Sequence, residues 1–234
     1  MLEALRTEVL EANLELVRQG LVLYTFGNAS GISRKDGLVV IKPSGVPYDQ
    51  MRPRDLVITT LDGRIVEGTL RPSSDLATHL VLYRAFDSIG GVVHTHSLYA
   101  TAWAQARREI PCLGTTHADY FRGSVPVTEP LPACDIEADY EAGTGDAIVR
   151  RLAGSDPAEF SAVLVAGHGP FCWGESAADA AHAAVVLERI AHLAYCTMSL
   201  NQSLAPLPDV LRDKHFLRKH GSGAYYGQEK EQIR

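Results

Sequence analysis

The sequence has no apolar run approaching the roughly 20 residues of a membrane-spanning helix. Its first turns carry Glu3, Arg6, Glu8 and Glu11, charges that the apolar core of a signal peptide excludes. No stripe of lysine and arginine occurs, and the formal net charge is -6. Neither a membrane nor a nucleic acid is therefore expected as a partner, and any anion site must be local. Cysteine is sparse: Cys112, Cys134, Cys172 and Cys196 stand far apart without a Cys-x-x-Cys pair. That argues against a thiolate metal site or a redox motif, and for a reducing, cytoplasmic setting. An internal repeat, a low-complexity linker and a His-Glu-x-x-His helix are also missing, the last being the mark of a zinc hydrolase. At 234 residues and 46% hydrophobic content, one globular domain with a substantial core is the expectation.

The chain is organised around Ile89 to Ser97, which reads Ile-Gly-Gly-Val-Val-His-Thr-His-Ser. An apolar run of this kind reads as a buried strand, and side chains on a strand alternate faces. His94 and His96 then project to one side, where neutral imidazoles suit Zn²⁺ and related ions. On its own the pair does not separate a metal site from hydrogen-bonded core histidines. A second strand signal, Ser161 to Ala166, ends in Gly167-His168-Gly169-Pro170, and the flanking glycines let the backbone approach closely around a third strand-end histidine.

Elsewhere, Leu2, Leu5, Val9, Ala12 and Leu16 recur at helical spacing over residues 2 to 19, with Gly20 just beyond, which predicts an amphipathic helix. Thr25 to Gly31 is a stretch of small residues that reads as a turn. Leu38 to Ile41 predicts a strand running into Lys42-Pro43-Ser44-Gly45, a junction that could turn N–H groups and a hydroxyl toward an anion or be a plain turn. Leu56–Thr59 and Arg64–Val66 predict two strands around Asp62-Gly63. Pro72-Ser73-Ser74-Asp75 precedes a helix to about Phe86, so a serine or the aspartate should cap it. Such a start also attracts phosphate or carboxylate. That helix and the returning strand, at roughly 18 and 20 Å, bring Asp75 beside His94 and His96. Further expectations are a helix from Ser97 to about Ala106, a polar loop over Thr115 to Tyr120, a strand over Val125 to Thr128 and a helix from Asp135 to Arg151. A short strand over Phe171 to Trp173 and a long helix from Ser176 to about Leu200 follow. The tail from Asp209 is expected to be helical before small residues and two tyrosines. The class is α/β.

Taken in order, Gly27-Asn28-x-Ser30, Lys42-Pro43-Ser44-Gly45, Pro72-Ser73-Ser74-Asp75-x-x-x-His79, His94-Thr95-His96-Ser97, Gly114-Thr115-Thr116-His117-Ala118-Asp119-Tyr120, Gly167-His168-Gly169-Pro170 and Lys214-His215-x-Leu217-Arg218-Lys219-His220-Gly221 with Tyr225-Tyr226-Gly227 resemble the L-ribulose-5-phosphate 4-epimerases of the class II aldolase/adducin superfamily. The resemblance spans residues 1 to 228 as one catalytic domain and leaves 229–234 as an extension, expected to be disordered. It implies an α/β/α sandwich with a central, mainly antiparallel sheet flanked by helices. It also implies a metal site at Asp75, His94, His96 and His168, normally holding Zn²⁺, for which Mn²⁺ substitutes. Gly27, Asn28, Ser44, Gly45, Ser73 and Ser74 match positions lining a sugar phosphate, with Lys42 adjacent. Asp119 and Tyr226 match an acid/base pair, the tyrosine reaching in from a neighbouring subunit of a C4 homotetramer whose active sites lie at subunit interfaces.

The implied chemistry is retro-aldol opening and re-closure of C3–C4 in a ketopentose phosphate, which inverts C4 without oxidation. Rivals are a class II sugar-phosphate aldolase of the fuculose-1-phosphate type and a non-catalytic adducin-like scaffold. The aspartate at 75 and the tyrosine at 226 favour the epimerase over the aldolase, and the complete histidine set disfavours the scaffold. His79, one turn after Asp75, reads as a structural hydrogen-bonding group. Phe26 and Arg122 depart from the family pattern, and Arg122 bears on substrate preference.

Overall fold

A computed structural model describes residues 2–227; the expected extension at 229–234 lies outside them. The strands β1 (Asn28–Ser33), β2 (Leu38–Ile41), β3 (Val57–Thr60), β4 (Ile65–Glu67), β5 (Gly91–His94), β6 (Ala162–Leu164) and β7 (Pro170–Gly174) form one sheet in the order β4-β3-β2-β1-β5-β7-β6. All its strand pairings are antiparallel. Seven α-helices surround it among the described residues: α1 (Glu3–Arg18), α2 (Leu76–Ala85), α3 (Leu98–Gln105), α4 (Thr115–Ala118), α5 (Ala133–Arg151), α6 (Ala177–Leu200) and α7 (Asp209–His220).

Period-two alternation divides the core. Val40, Ile58, Val93 and Cys172 face a layer containing Val9 and Leu16 of α1, Trp103 of α3 and Leu187 of α6. Their neighbours Val39, Ile41, Val57, Val92, Phe171 and Trp173 face Leu80 and Leu82 of α2 and Ile148 of α5. The result is the expected α/β/α sandwich. His94 has the parity of Val92, so the strand carries it to the α2/α5 face.

Several local expectations need correction. The Thr25–Gly31 stretch is not merely a turn, since Asn28 onward is β1, paired on both sides at the centre of the sheet. Its small side chains are required by packing: a Cβ on Gly31 would lie 2.9 Å from both Leu5 and Val9 of α1. Val125–Thr128 makes only isolated bridges, Ile110 with Val125 and Val127 with Leu164, because Pro126 has no N–H to give a ladder. The polar Thr115–Tyr120 segment contains the short helix α4, which buries His117 and Ala118. Helix α5 is broken at Asp139 (φ -164°, ψ 96°), whose carboxylate accepts the Ala142 N–H at 3.0 Å and so caps a restarted helix.

Contrary to expectation, one described helix, α6, is long and apolar enough by length and composition to cross a bilayer. It lies on the sheet, burying Ala177, Ala180, Ala181, Ala184, Leu187 and Ala191, and Ser176 caps it through the Asp179 N–H at 3.1 Å.

Candidate metal and phosphate site

At the end of β5, His94 stands opposite Asn28 of β1 and Phe171 of β7. Its ring stacks on Phe171 with centroids 4.2 Å apart, and its Nδ1 lies 2.9 Å from the Pro170 carbonyl. A carbonyl only accepts, so Nδ1 carries the proton and donates. Burial pulls the imidazole pKa down to about 3 against the opposing pull of Asp75, which leaves it neutral with the Nε2 lone pair free. That atom lies 3.1 Å from Nε2 of His96.

His96 sits just past the strand, and His168 sits in the β6–β7 turn, where Gly167 takes a φ of 75°. A Cβ on Gly169 would lie 2.8 Å from the Thr95 carbonyl, so the turn closes directly over the β5 end. The ligand nitrogens of His94, His96 and His168 all lie within 4.8 Å of one another. Burial is the main cause lowering the pKa of His96 and of His168. Three neutral imidazoles converging at this spacing, one with its outer N–H fixed by a carbonyl, form a donor set that fits a divalent cation.

Of the capping candidates, Asp75 precedes α2 but does not cap it with its side chain, while Ser73 Oγ accepts the Asp75 N–H at 3.4 Å. The Asp75 carboxylate accepts instead from Asn28 Nδ2 at 2.5 Å, and the same amide nitrogen lies 3.0 Å from Ser73 Oγ. Burial pushes the Asp75 pKa up, but His94, His79, the Asn28 bond and His168 outweigh it and the net shift is downward. The carboxylate is not one of the three convergent ligands, although it lines their cavity. Oδ1 of Asn28 is buried without a hydrogen-bond partner. His79 is structural, as expected: its Nδ1 lies 2.7 Å from Ser30 Oγ, which lies 2.8 Å from the Tyr83 hydroxyl.

The histidines open into a cavity of about 500 Å³ that also includes Gly27, Asn28, Lys42, Ser44, Gly45, Ser73, Ser74 and Asp75. The structure thus gathers the expected metal and phosphate residues at one place. Two loops form the polar corner, joined by Ser44 N–H to Arg71 O and Ser73 N–H to Lys42 O, each 2.9 Å. Gly27 (φ 74°) passes so near β5 that a Cβ would lie 2.9 Å from the His94 carbonyl. Lys42 is 2% exposed, donates to the Thr25 and Pro43 carbonyls at 3.3 Å each and lies 4.7 Å from the Tyr48 ring centroid. Burial lowers its pKa to about 8. A lysine held this way, beside the hydroxyls of Ser44, Ser73 and Ser74 in the same lining, suits an anion.

Four lining residues lacked an assigned role in the sequence, Thr25, Phe26, Tyr140 and Glu141. The break in α5 presents Tyr140 and Glu141, and the Tyr140 hydroxyl lies 3.2 Å from Nδ1 of His168. An aspartate in mid-helix, able to cap a new start, was the available signal.

Asp119 and Tyr226 do not line this cavity. They share a patch where α7 packs on α4. Arg218 donates to both Asp119 oxygens, at 2.8 and 2.6 Å, His215 Nδ1 lies 3.0 Å from Oδ1, and the Arg218 guanidinium lies 4.9 Å from the Tyr226 ring centroid. Arg122 is also outside the cavity, paired with Glu159 and 3.7 Å from Asp213. It borders a separate hollow of about 680 Å³.

Comparisons with known proteins agree with this geometry. The family described as the class II aldolase and adducin N-terminal domain matches residues 7–195. L-ribulose-5-phosphate 4-epimerase UlaF of Salmonella typhi is 51% identical over 228 residues, covering 97% of this chain and 100% of that protein; the protein of the same name from Salmonella paratyphi B gives the same figures. Among solved structures, an L-fuculose 1-phosphate aldolase superposes with a TM-score of 0.76 at 27% identity, covering 91% of this chain and 94% of its own. The L-fuculose-1-phosphate aldolase of Thermus thermophilus gives 0.67 at 25% identity, covering 87% and 98%.

Proposed function

We propose that this chain, which belongs to the class II aldolase and adducin family, is an L-ribulose-5-phosphate 4-epimerase, interconverting L-ribulose 5-phosphate and D-xylulose 5-phosphate. The observation that carries the reading is the single cavity in which three converging histidines face a corner made by Lys42, Ser44, Gly45, Ser73 and Ser74. His94, His96 and His168, with Asp75 beside them, would hold the cation. Bound there, Zn²⁺ or Mn²⁺ in its place supplies Lewis-acid stabilisation of the negative charge that develops on the ketose oxygens as C3–C4 opens.

The chain's own residues do the rest. Lys42 and the serine and glycine N–H groups take the phosphate, and Gly27 and Asn28 line the sugar, with the unpartnered Asn28 Oδ1 free to accept a substrate hydroxyl. Holding the phosphate keeps the two-carbon aldehyde in place while it turns its other face. An aldolase releases that fragment, so retention decides between the two activities. The proton of the C4 hydroxyl must leave on one face and return on the other, which calls for two groups. Asp119 and Tyr226 serve, from a second copy of the chain, since within one chain both lie in the α4–α7 patch. A heterologous contact that closes into a C4 homotetramer would complete every cavity with a neighbour's patch. Residues 1–228 act as one catalytic domain in a cytoplasmic enzyme.

The aldolase reading is favoured by the structural neighbours named L-fuculose 1-phosphate aldolase. One assay separates the two. Chelator-stripped protein reloaded with Zn²⁺ or Mn²⁺ is expected to interconvert the two pentulose phosphates; rapid accumulation of free glycolaldehyde phosphate would establish the aldolase instead.

A further inference from the structure

We propose that Arg218 is a positioning residue that presets Asp119 and Tyr226 as one unit, clamping the carboxylate of the first while supporting the ring of the second. The proposal rests on the acid/base reading above. The guanidinium meets the carboxylate fork to fork, Nε to Oδ1 at 2.8 Å and Nη2 to Oδ2 at 2.6 Å, an arrangement that fixes direction as well as charge. The same guanidinium lies 4.9 Å from the Tyr226 ring centroid, within reach of cation–π attraction. The Arg218 carbonyl accepts the backbone N–H groups of Tyr225 and Tyr226 at 3.0 and 3.1 Å. One residue thus touches both groups, through side chain and main chain, although they are distant in sequence.

Other charged groups face Asp119 from α7. His215 Nδ1 lies 3.0 Å from Oδ1, Lys219 adds its charge, and His220 Nε2 lies 3.0 Å from the Asp119 carbonyl rather than the carboxylate. From α4, His117 turns away, its Nε2 donating to the Gly123 carbonyl at 2.7 Å. Burial alone would raise the Asp119 pKa, but the Arg218 and His215 bonds and the Arg218 and Lys219 charges bring it below the ordinary carboxylate value. Without the guanidinium, the carboxylate loses two bonds and its nearest charge, so its pKa rises.

Arg218→Ala and Arg218→Lys, measured in the metal-loaded enzyme beside Asp119→Asn and Tyr226→Phe, test this. Arg218→Ala is expected to lower kcat about ten- to hundredfold, as losing charge-assisted bonds does, with KM little changed. The acid limb of its kcat–pH profile should move to higher pH. Guanidinium chloride, below concentrations that unfold the protein, should restore activity and move the limb back. Arg218→Lys, which keeps charge and helix but not the fork, should show a smaller loss and serves if the alanine variant fails to fold. A loss with an unmoved acid limb and no rescue would make Arg218 a plain anchor of α7 and overturn the proposal alone. Full activity in Asp119→Asn would instead overturn the acid/base reading, and this proposal with it.

Discussion

Around the histidine cavity, burial governs the imidazoles and Lys42; at Asp119 in the α4–α7 patch, ion pairing competes with it and prevails. His94, His79 and Lys42 all have their pKa lowered mainly by desolvation, whereas Asp119 is lowered by a guanidinium, an imidazole and a lysine despite its burial. The cavity hangs on strand ends whose positions the sheet fixes. The patch hangs on a tail helix, with Tyr226 60% exposed. Neutral ligands for a cation belong in a rigid, desolvated place. On the proposed reading, in which the patch serves another copy of the chain, Asp119 and Tyr226 belong near the surface, and there Arg218 holds them by its ion pair, its ring contact and its main-chain carbonyl.

The sharpest way to break this contrast is at the ligands. His96→Asn should lose its metal and at least about a thousandfold in turnover, the upper range for losing preorganised electrostatic stabilisation. Asp119→Asn should keep its metal content. Elemental analysis beside activity decides, and a His96→Asn protein that retains its metal would remove the cavity from the metal site.

A smaller effect is expected at Tyr140, whose hydroxyl meets His168 Nδ1 at 3.2 Å. Losing such an outer partner costs about 10–100-fold in metal affinity, so Tyr140→Phe should release its ion at a lower chelator concentration, while Tyr226→Phe should not differ from the parent protein.

Acid separates the regions more gently. Burial lowers the His79 pKa to about 4, below the roughly 6.5 of an unfolded chain. Between those values the unfolded state binds a proton that the native state does not, so stability rises with pH and falls on acidification. The slope is on the order of 1 kcal/mol per pH unit for such a histidine. His117, also lowered by burial to about 4, adds a second slope; the share of His79 is what His79→Gln removes in urea melts of the metal-free protein at pH 7 and 5. The Asp119 contribution has the same sense in a more acidic window: its depressed pKa gives stability that is fully present above the ordinary carboxylate value of 3.8 and is lost only as pH falls below it. A flat profile between pH 7 and 5 would contradict the assignment of His79.

The cavity was legible in the sequence because its parts obey short-range rules. Strand ends place His94 and His168, and a helix followed by a returning strand places Asp75 near them. β1 was not legible, since its small residues answer to α1 packed against them, a tertiary demand with no local pattern. The break at Asp139, and with it the approach of Tyr140 to His168, depends on one carboxylate choosing a backbone N–H over solvent. Whether a serine or Asp75 caps α2 was open for a related reason: a capping bond competes with Asn28, which arrives from another element and takes the Asp75 carboxylate. The separation of Asp119 from the histidines depends on where the tail helix docks, and periodicity does not encode that.

Subunit complementation tests the central claim, that each working site takes its cavity from one copy and its proton-transfer pair from another. His94→Asn and Asp119→Asn, each inactive alone, are mixed one to one, unfolded and reassembled together. In a closed ring of heterologous contacts, about a quarter of the sites then join an intact cavity to an intact patch, and activity should return to about a quarter of the unmutated level. Activity no higher than that of the two variants alone, in assemblies shown by native mass spectrometry to contain both chains, would contradict it.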